Sequence, residues 1–328
     1  MVTARLPART IHKIQKILEM ATFPYVTLDV FTTTRFGGNP LAVVTDARGL
    51  TSDQMQKIAA EFNYSETTFV LPPEDSANTA QVRIFTRTQE HPFAGHPNVG
   101  TAFVLGRQES VFGSSPGADM IFEEKAGLVA IDLMRENGDV VGAGFVAPQP
   151  LQMGSPLEAK IMTDCLSLEE SDVVLEHHAP NLASVGLGFF IGEVTPDALT
   201  RAAPRMDRFA DAVGKGHGTT DGRLPILAYA RVGAGGDNGI GQLRSRMFAP
   251  LGGAVEDPAT GSASAALGAF LLSLDSRADA NTHISIRQGV EMGRPSEIEL
   301  DVRKSAGQVE AVKVSGRCVS VMAGELTI

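Results

Sequence analysis

Arg83-Ile84-Phe85, a short loop, and Glu90-His91-Pro92-Phe93-Ala94-Gly95-His96-Pro97-Asn98-Val99-Gly100 recur later in the chain. The second copy reads Arg246-Met247-Phe248, a slightly longer loop, and Glu256-Asp257-Pro258-Ala259-Thr260-Gly261-Ser262-Ala263-Ser264-Ala265-Ala266. In register, Glu90 matches Glu256, Pro92 matches Pro258, Gly95 matches Gly261, and His96 matches Ser262. A polar, Gly-containing turn opens an apolar segment in both copies. The repeat predicts an α+β molecule of two pseudo-symmetric lobes, each aiming the start of a helix into one cleft. A helix start presents unpaired N–H groups and a partial positive charge, so it suits an anionic group.

The two repeat helices are expected over about Pro97–Leu105 and Ser262–Leu274. From Pro258 to Ser273 there is no charged residue, and from Phe93 to Gly106 only His96 can carry charge. A surface helix shows a polar stripe; these do not. Each is therefore expected to be a central buried helix wrapped by a mostly antiparallel, barrel-like sheet. An ordinary core helix would also be buried, but it leaves the polar turn before both copies unexplained.

Strands are expected at Tyr25–Phe31, Leu41–Val44, Thr67–Val70 and Ala80–Phe85, then as a meander over Met120–Glu123, Gly127–Leu133 and Val140–Val146. Thr51–Phe62 reads as an amphipathic helix capped by Thr51 with Gln54 as its capping-box partner. Later strands are expected at Val185–Val194 and Ile226–Val232, with charged helical material between them. Further strands follow at Gln242–Phe248, His283–Arg287, Glu297–Val302, Val309–Val314 and Cys318–Ala323. The Pro-rich stretch Pro148 to Pro156 marks the boundary between lobes 23–147 and 148–328, with the last strand free to cross back. Residues 1–22 carry Arg5, Arg9, Lys13 and Lys16 with no acid before Glu19, and read as an N-terminal tail.

A chain of 328 residues is comfortable for two cores. Its 43% hydrophobic and 20% charged content is that of an ordinary globular protein. A net charge of −10 argues against a nucleic-acid partner. The apolar run after Thr260 is too short to span a bilayer, so no membrane partner is expected. Cys165 and Cys318 form no C-x-x-C pair and read as free thiols in a reducing cytoplasm. His91, His96 and Asp257 match no standard metal spacing, Gly233-Ala234-Gly235-Gly236 precedes no convincing helix, and no Walker loop is present. No metal and no cofactor are expected.

Glu66, in Tyr64-Ser65-Glu66-Thr67-Thr68-Phe69, stands at the mouth of a strand with an apolar continuation. Shielded from water, such a carboxylate can take and return a proton near neutral pH; solvated at a helix–strand connection, it does nothing of the kind. His96 opens the first repeat helix, where a helix start disfavours the imidazolium and suits a neutral donor. Asp257 reads as a turn or cleft carboxylate, and Ser262 as an N-cap or cleft hydroxyl. Gly95 and Gly261 permit close approach of a ligand to the backbone.

The strings Leu28-Asp29-Val30-Phe31-Thr32, F-G-G-N-P-L-A-V-V (36–44), S-E-T-T-F-V (65–70), P-F-A-G-H-P (92–97), E-D-P-A-T-G-S-A (256–263) and Q-G-x-x-M-G-R-P-S (288–296) resemble the PhzF-like phenazine-biosynthesis proteins. The resemblance runs from about Phe23 to the C-terminus and implies the diaminopimelate-epimerase-like fold, with the active site between two lobes. It implies Glu66 as the acid/base, with His96, Asp257 and Ser262 lining the same site. It places Gly95, Pro97, Asn98, Gly261 and Ala263 at the substrate, and it implies a homodimer. His91 and Asn98 depart from the family pattern, where an apolar residue and a threonine are more common.

The epimerase relatives use two cysteines, whereas the turn positions here hold His96 and Ser262. One base working on one face suits a proton shift along a conjugated system. The expected function is a cofactor-independent isomerase acting on a small anionic carboxylic acid, similar to PhzF-type isomerisation of a dihydro-hydroxyanthranilate. Two alternatives stay open: a non-catalytic small-acid binding protein, and a serine hydrolase using Ser262 with His96 and Asp257, which lacks the G-x-S-x-G elbow.

Overall fold

A computed structural model of the chain describes residues 21–233 and 240–328. Residues 1–20 of the tail expected over 1–22, and most of the Gly233-Ala234-Gly235-Gly236 stretch, lie outside the described residues.

The chain folds into a sheet-rich α+β structure. Its first half runs β1 (Thr22–Val30), β2 (Asn39–Val44), α1 (Ser52–Phe62), β3 (Glu66–Leu71), β4 (Ala80–Phe85), β5 (Glu90–His91), α2 (Gly95–Gly106), β6 (Asp119–Glu124), β7 (Gly127–Glu136) and β8 (Asp139–Val146). The second half runs β9 (Gln152–Pro156), α3 (Ala159–Leu166), β10 (Asn181–Ser184), β11 (Gly188–Glu193), α4 (Pro196–Arg201), α5 (Met206–Gly214), β12 (Ile226–Arg231), β13 (Gln242–Ala249) and β14 (Ala254–Asp257). It ends with α6 (Gly261–Ser273), β15 (Ala280–Gln288), β16 (Ser296–Ser305) and β17 (Gln308–Thr327).

Pairing follows the sequence repeat. In the first half β2 runs parallel to β3, β3 antiparallel to β4, and β4 parallel to β6. In the second half β11 runs parallel to β12, β12 antiparallel to β13, and β13 parallel to β15. The strands that carry R-I-F and R-M-F, β4 and β13, hold the same place in both series. The first series closes into a barrel through β6–β7–β8–β17–β1–β2. The second extends from β9–β10–β11 to β15–β16–β17.

Both repeat helices are buried. Every residue of α2 is enclosed, and in α6 only Ser262 and Ser273 escape full burial. Both begin at their glycines, slightly earlier than expected. Gly100 of α2 lets the helix approach β1 and β2: a β-carbon there would lie 2.5 Å from Leu41 and 2.8 Å from Val30. Gly268 of α6 does the same against β16, with Leu300 at 2.8 Å from the added carbon. In α1, Thr51 and Gln54 form the expected capping box.

Four local expectations change. The stretch read as one strand over Val185–Val194 holds a turn and then β11, because Gly186 takes φ +138° and turns the chain between β10 and β11, which pair as a hairpin. The Pro-rich segment contains β9, an exposed edge strand paired with β10. The two C-terminal strands are one, β17. Gly316 resembles a break in the sequence, but a β-carbon there would lie 2.2 Å from Phe31, so the glycine permits a close crossing inside a continuous strand. Helix α3 was not expected.

β17 pairs with β16 from Gln308 to Ser315, with β8 from Lys313 to Arg317, and with β1 from Cys318 to Thr327. Among the described residues, no helix is long and apolar enough to cross a membrane.

Candidate active site

The starts of α2 and α6 face each other. A β-carbon on Gly95 would lie 3.5 Å from the Ser262 amide nitrogen, an ordinary contact, and 2.9 Å from the Phe145 ring, so the glycine lets the start of α2 sit close against β8. Neither helix has a side-chain N-cap, which leaves first-turn N–H groups for something else. The turns open on a cavity of about 420 Å³ lined from both halves of the chain. Glu66, His96, Asp257, Ser262, Gly95 and Gly261 all line it.

Glu66 begins β3, in register with Leu41 of β2. Its side chain keeps 18% of its surface, exposed to the cavity. Enclosure raises its carboxyl to about 8; the charge of Asp257 adds to the rise and Arg87 opposes it. His96 Nε2 lies 3.6 Å from Glu66 Oε2, just beyond hydrogen-bond distance, and has no hydrogen-bond partner. Burial lowers the His96 imidazole to about 3, so it is neutral at ordinary pH. Its Nδ1 faces the Asn39 amide nitrogen at 3.4 Å. An amide nitrogen can only donate, so Nδ1 is the acceptor and the proton sits on Nε2, toward Glu66.

Asp257 ends β14. Burial raises its carboxyl to about 6 against hydrogen bonds from Thr260 and Asn39, which lower it. Thr260 Oγ1 donates to Oδ2 at 2.6 Å, and Asn39 Nδ2 donates to Oδ1 at 2.8 Å. The Asp257 carboxylate thus turns to Asn39 and Thr260, away from the Asp–His pairing that a hydrolytic triad requires. Two cavity carboxyls held at different positions leave one proton between them near neutrality.

Three residues outside the expected set order this site. Asn39 spans the two halves: its Nδ2 donates to Asp257 and to the Ala259 carbonyl at 2.9 Å, beside His96. Gln288 donates to the Asp257 carbonyl at 2.8 Å and to Thr260 Oγ1 at 3.0 Å. Arg294 donates to the Gly37 and Gly38 carbonyls and pairs with Asp29 at 2.5 Å, while Asp29 also accepts from the Phe36 amide. That brace fixes the turn carrying Asn39. The signal lay in the strings L-D-V-F-T, F-G-G-N-P and Q-G-x-x-M-G-R-P-S, which hold all four of Asp29, Asn39, Gln288 and Arg294.

Pro97, Asn98 and Ala263 do not line the cavity. They point from the inner helices into packing, because only the first residue or two of each helix faces the opening. Asn98 is fully buried, and its amide faces the enclosed Glu124 carboxyl, not the cavity. His91, by contrast, does line the cavity.

Cys165 and Cys318 are buried away from this cavity. Burial pushes the Cys165 thiol up to about 12 and raises Cys318 as well, so neither supplies a thiolate. Among the described residues, no group of three or more His, Cys, Asp or Glu side chains is gathered as metal ligands do.

The family profile described as phenazine biosynthesis-like protein matches residues 28–324. The chain is 36% identical over 306 residues to a trans-2,3-dihydro-3-hydroxyanthranilate isomerase of Pseudomonas chlororaphis, covering 93% of this chain and 99% of that protein. It is 35% identical over 322 residues to an uncharacterized isomerase of Mesorhizobium japonicum, covering 94% and 100%. Among solved structures, the Bacillus anthracis phenazine biosynthesis protein of the PhzF family superposes with a TM-score of 0.81 at 25% identity, covering 94% of this chain and 100% of that one. The chain therefore belongs to the PhzF-type phenazine biosynthesis-like family and is an isomerase.

Proposed function

We propose that the protein is a cofactor-independent isomerase that moves one proton between carbons of a small unsaturated or hydroxylated carboxylic acid, with Glu66 as the single acid/base. Residues 23–147 and 148–328 act as two lobes, with β17 crossing between them and the cavity as their cleft. The substrate carboxylate rests on the N–H groups at the starts of α2 and α6, with the Ser262 hydroxyl beside it. Glu66, as carboxylate, takes a proton from a carbon conjugated to that acid. The C–H electron pair shifts along the conjugated system, and Glu66, whose carboxyl proton exchanges with water in the open cavity, returns a proton to a more distant carbon. No redox step enters, since nothing is oxidised or reduced overall. Neutral His96 donates from Nε2 to the charge that develops, and Asp257 orients the substrate through its fixed carboxylate.

The observation that carries this reading is the enclosed Glu66 carboxyl held near 8, at 3.6 Å from an unpartnered neutral imidazole nitrogen. A relative's acceptance of a dihydro-hydroxyanthranilate fits the same chemistry. The test is incubation with a panel of unsaturated and hydroxylated carboxylic acids in deuterated water, followed by NMR. Deuterium is expected at a carbon conjugated to the carboxylate, and Glu66→Gln is expected to lose it while still binding the acid. Full exchange persisting in Glu66→Gln would refute the assignment. An acid that binds the wild type without any exchange would leave a binding protein instead.

A further inference from the structure

The helix starts account for one acidic group of the substrate. The cavity mouth carries cations that this role leaves unused. Arg87 lies in the turn from Thr86 to Gln89 between β4 and β5, and its guanidinium donates to the Gly253 carbonyl in the turn between β13 and β14. These turns are counterparts in the sequence repeat, and both line the cavity. Arg223 also lines it, but Asp221 neutralises it at 2.5 Å. His91 beside it is lowered by burial, and further by the charge of Arg223, so it adds no charge near neutral pH.

Arg87 differs from Arg223. The Gly253 carbonyl is its one partner among the described residues, and it has no carboxylate within ion-pair distance. Arg87 lines the same cavity as Glu66, and its charge opposes the rise of the Glu66 carboxyl. A guanidinium binds a carboxylate through two parallel bonds, more strongly than it binds one peptide carbonyl. Gly253 is exposed, with open space around it, so water can solvate its carbonyl when Arg87 leaves. Arg87 is exposed whereas Gly95 and Gly261 at the helix starts are buried, so the mouth and the helix starts lie at different depths of one cavity. A ligand that fills both is negative at both ends.

We propose that Arg87 is a specificity residue that binds a second carboxylate of the substrate at the cavity mouth, so that the preferred substrates are small dicarboxylic acids. This rests on the isomerase reading above, which puts the first carboxylate at the helix starts and the reacting carbon beside Glu66.

The test uses the full chain and a panel of small unsaturated dicarboxylic acids, glutaconate among them, each paired with its monoamide. Calorimetry reads binding, and NMR in deuterated water reads exchange. The wild type is expected to favour the diacid over its monoamide by about tenfold, the scale of one charge-assisted contact. Arg87→Gln is expected to lose that ratio, and Arg87→Lys to keep part of it. A merely structural role for Arg87 would lower both ligands alike and leave the ratio intact. An unchanged ratio in Arg87→Gln, or no preference for any diacid in the wild type, overturns the proposal. Preferential binding of the diacid without exchange would instead remove the isomerase reading and leave the Arg87 subsite standing.

Discussion

Glu66 has two ordinary fates in a sequence, solvated or sequestered, and the enclosure of the cavity decides between them. Because burial raises its carboxyl from 4.5 to about 8, the folded protein holds this proton more tightly than the unfolded chain. Folding therefore loses stability as pH climbs from about 4.5 toward 8, and the loss is complete above that range. Glu66→Gln removes the titration. The variant is expected to be more stable than wild type at pH 8, on the order of 3 kcal/mol, with no gain at pH 4. Urea denaturation at the two pH values checks this, and equal stabilities at both would contradict it. Wild-type exchange should rise with pH up to about 8, as the carboxylate form becomes populated. The placement of the site residues was partly legible in sequence, since Glu66, His96, Asp257 and Ser262 line one cavity. Asn98 did not follow: helix periodicity does not say which face of a helix buried all round meets an opening, and its face meets packing.

At the scale of elements, the helices declared themselves through what they lack. Segments with almost no charge and many small residues can only be buried, and α2 and α6 are. Their glycines do two jobs. Gly95 lets the start of α2 sit against Phe145, and Gly100 lets α2 sit against β1 and β2. Gly100→Val should place new atoms into Leu41 and Val30 and cost about 1–3 kcal/mol, read as a lower urea midpoint. An unchanged midpoint would show that the barrel wall yields easily. Strand ends were less legible, because turn chemistry and close crossings both use glycine. Gly186 ends a strand by its positive φ, whereas Gly316 keeps β17 continuous past Phe31.

For the whole molecule, the site depends on contacts between residues far apart in sequence. Asp29 is 4% exposed in its side chain and pairs with Arg294 from the other half of the chain. Arg294 also holds the turn that presents Asn39 to Asp257 and the Ala259 carbonyl. Arg294→Ala leaves the Asp29 charge buried without its partner and should cost about 2–4 kcal/mol. It should also lower exchange at least tenfold, because Asn39 loses its fixed position over Asp257. A variant with wild-type stability and rate would show that the turn needs no brace. The sequence by itself determined the repeat, the two buried helices, the strand-rich character and the family, because period, charge and local motifs are properties of neighbouring residues. The tertiary structure alone decided that β17 runs unbroken between the halves, that Asn39, Gln288 and Arg294 order the groups lining the cavity, and that Pro97, Asn98 and Ala263 turn away. Those outcomes rest on long-range contacts and on which face of a uniformly buried helix meets the cavity, and neither is written in local pattern.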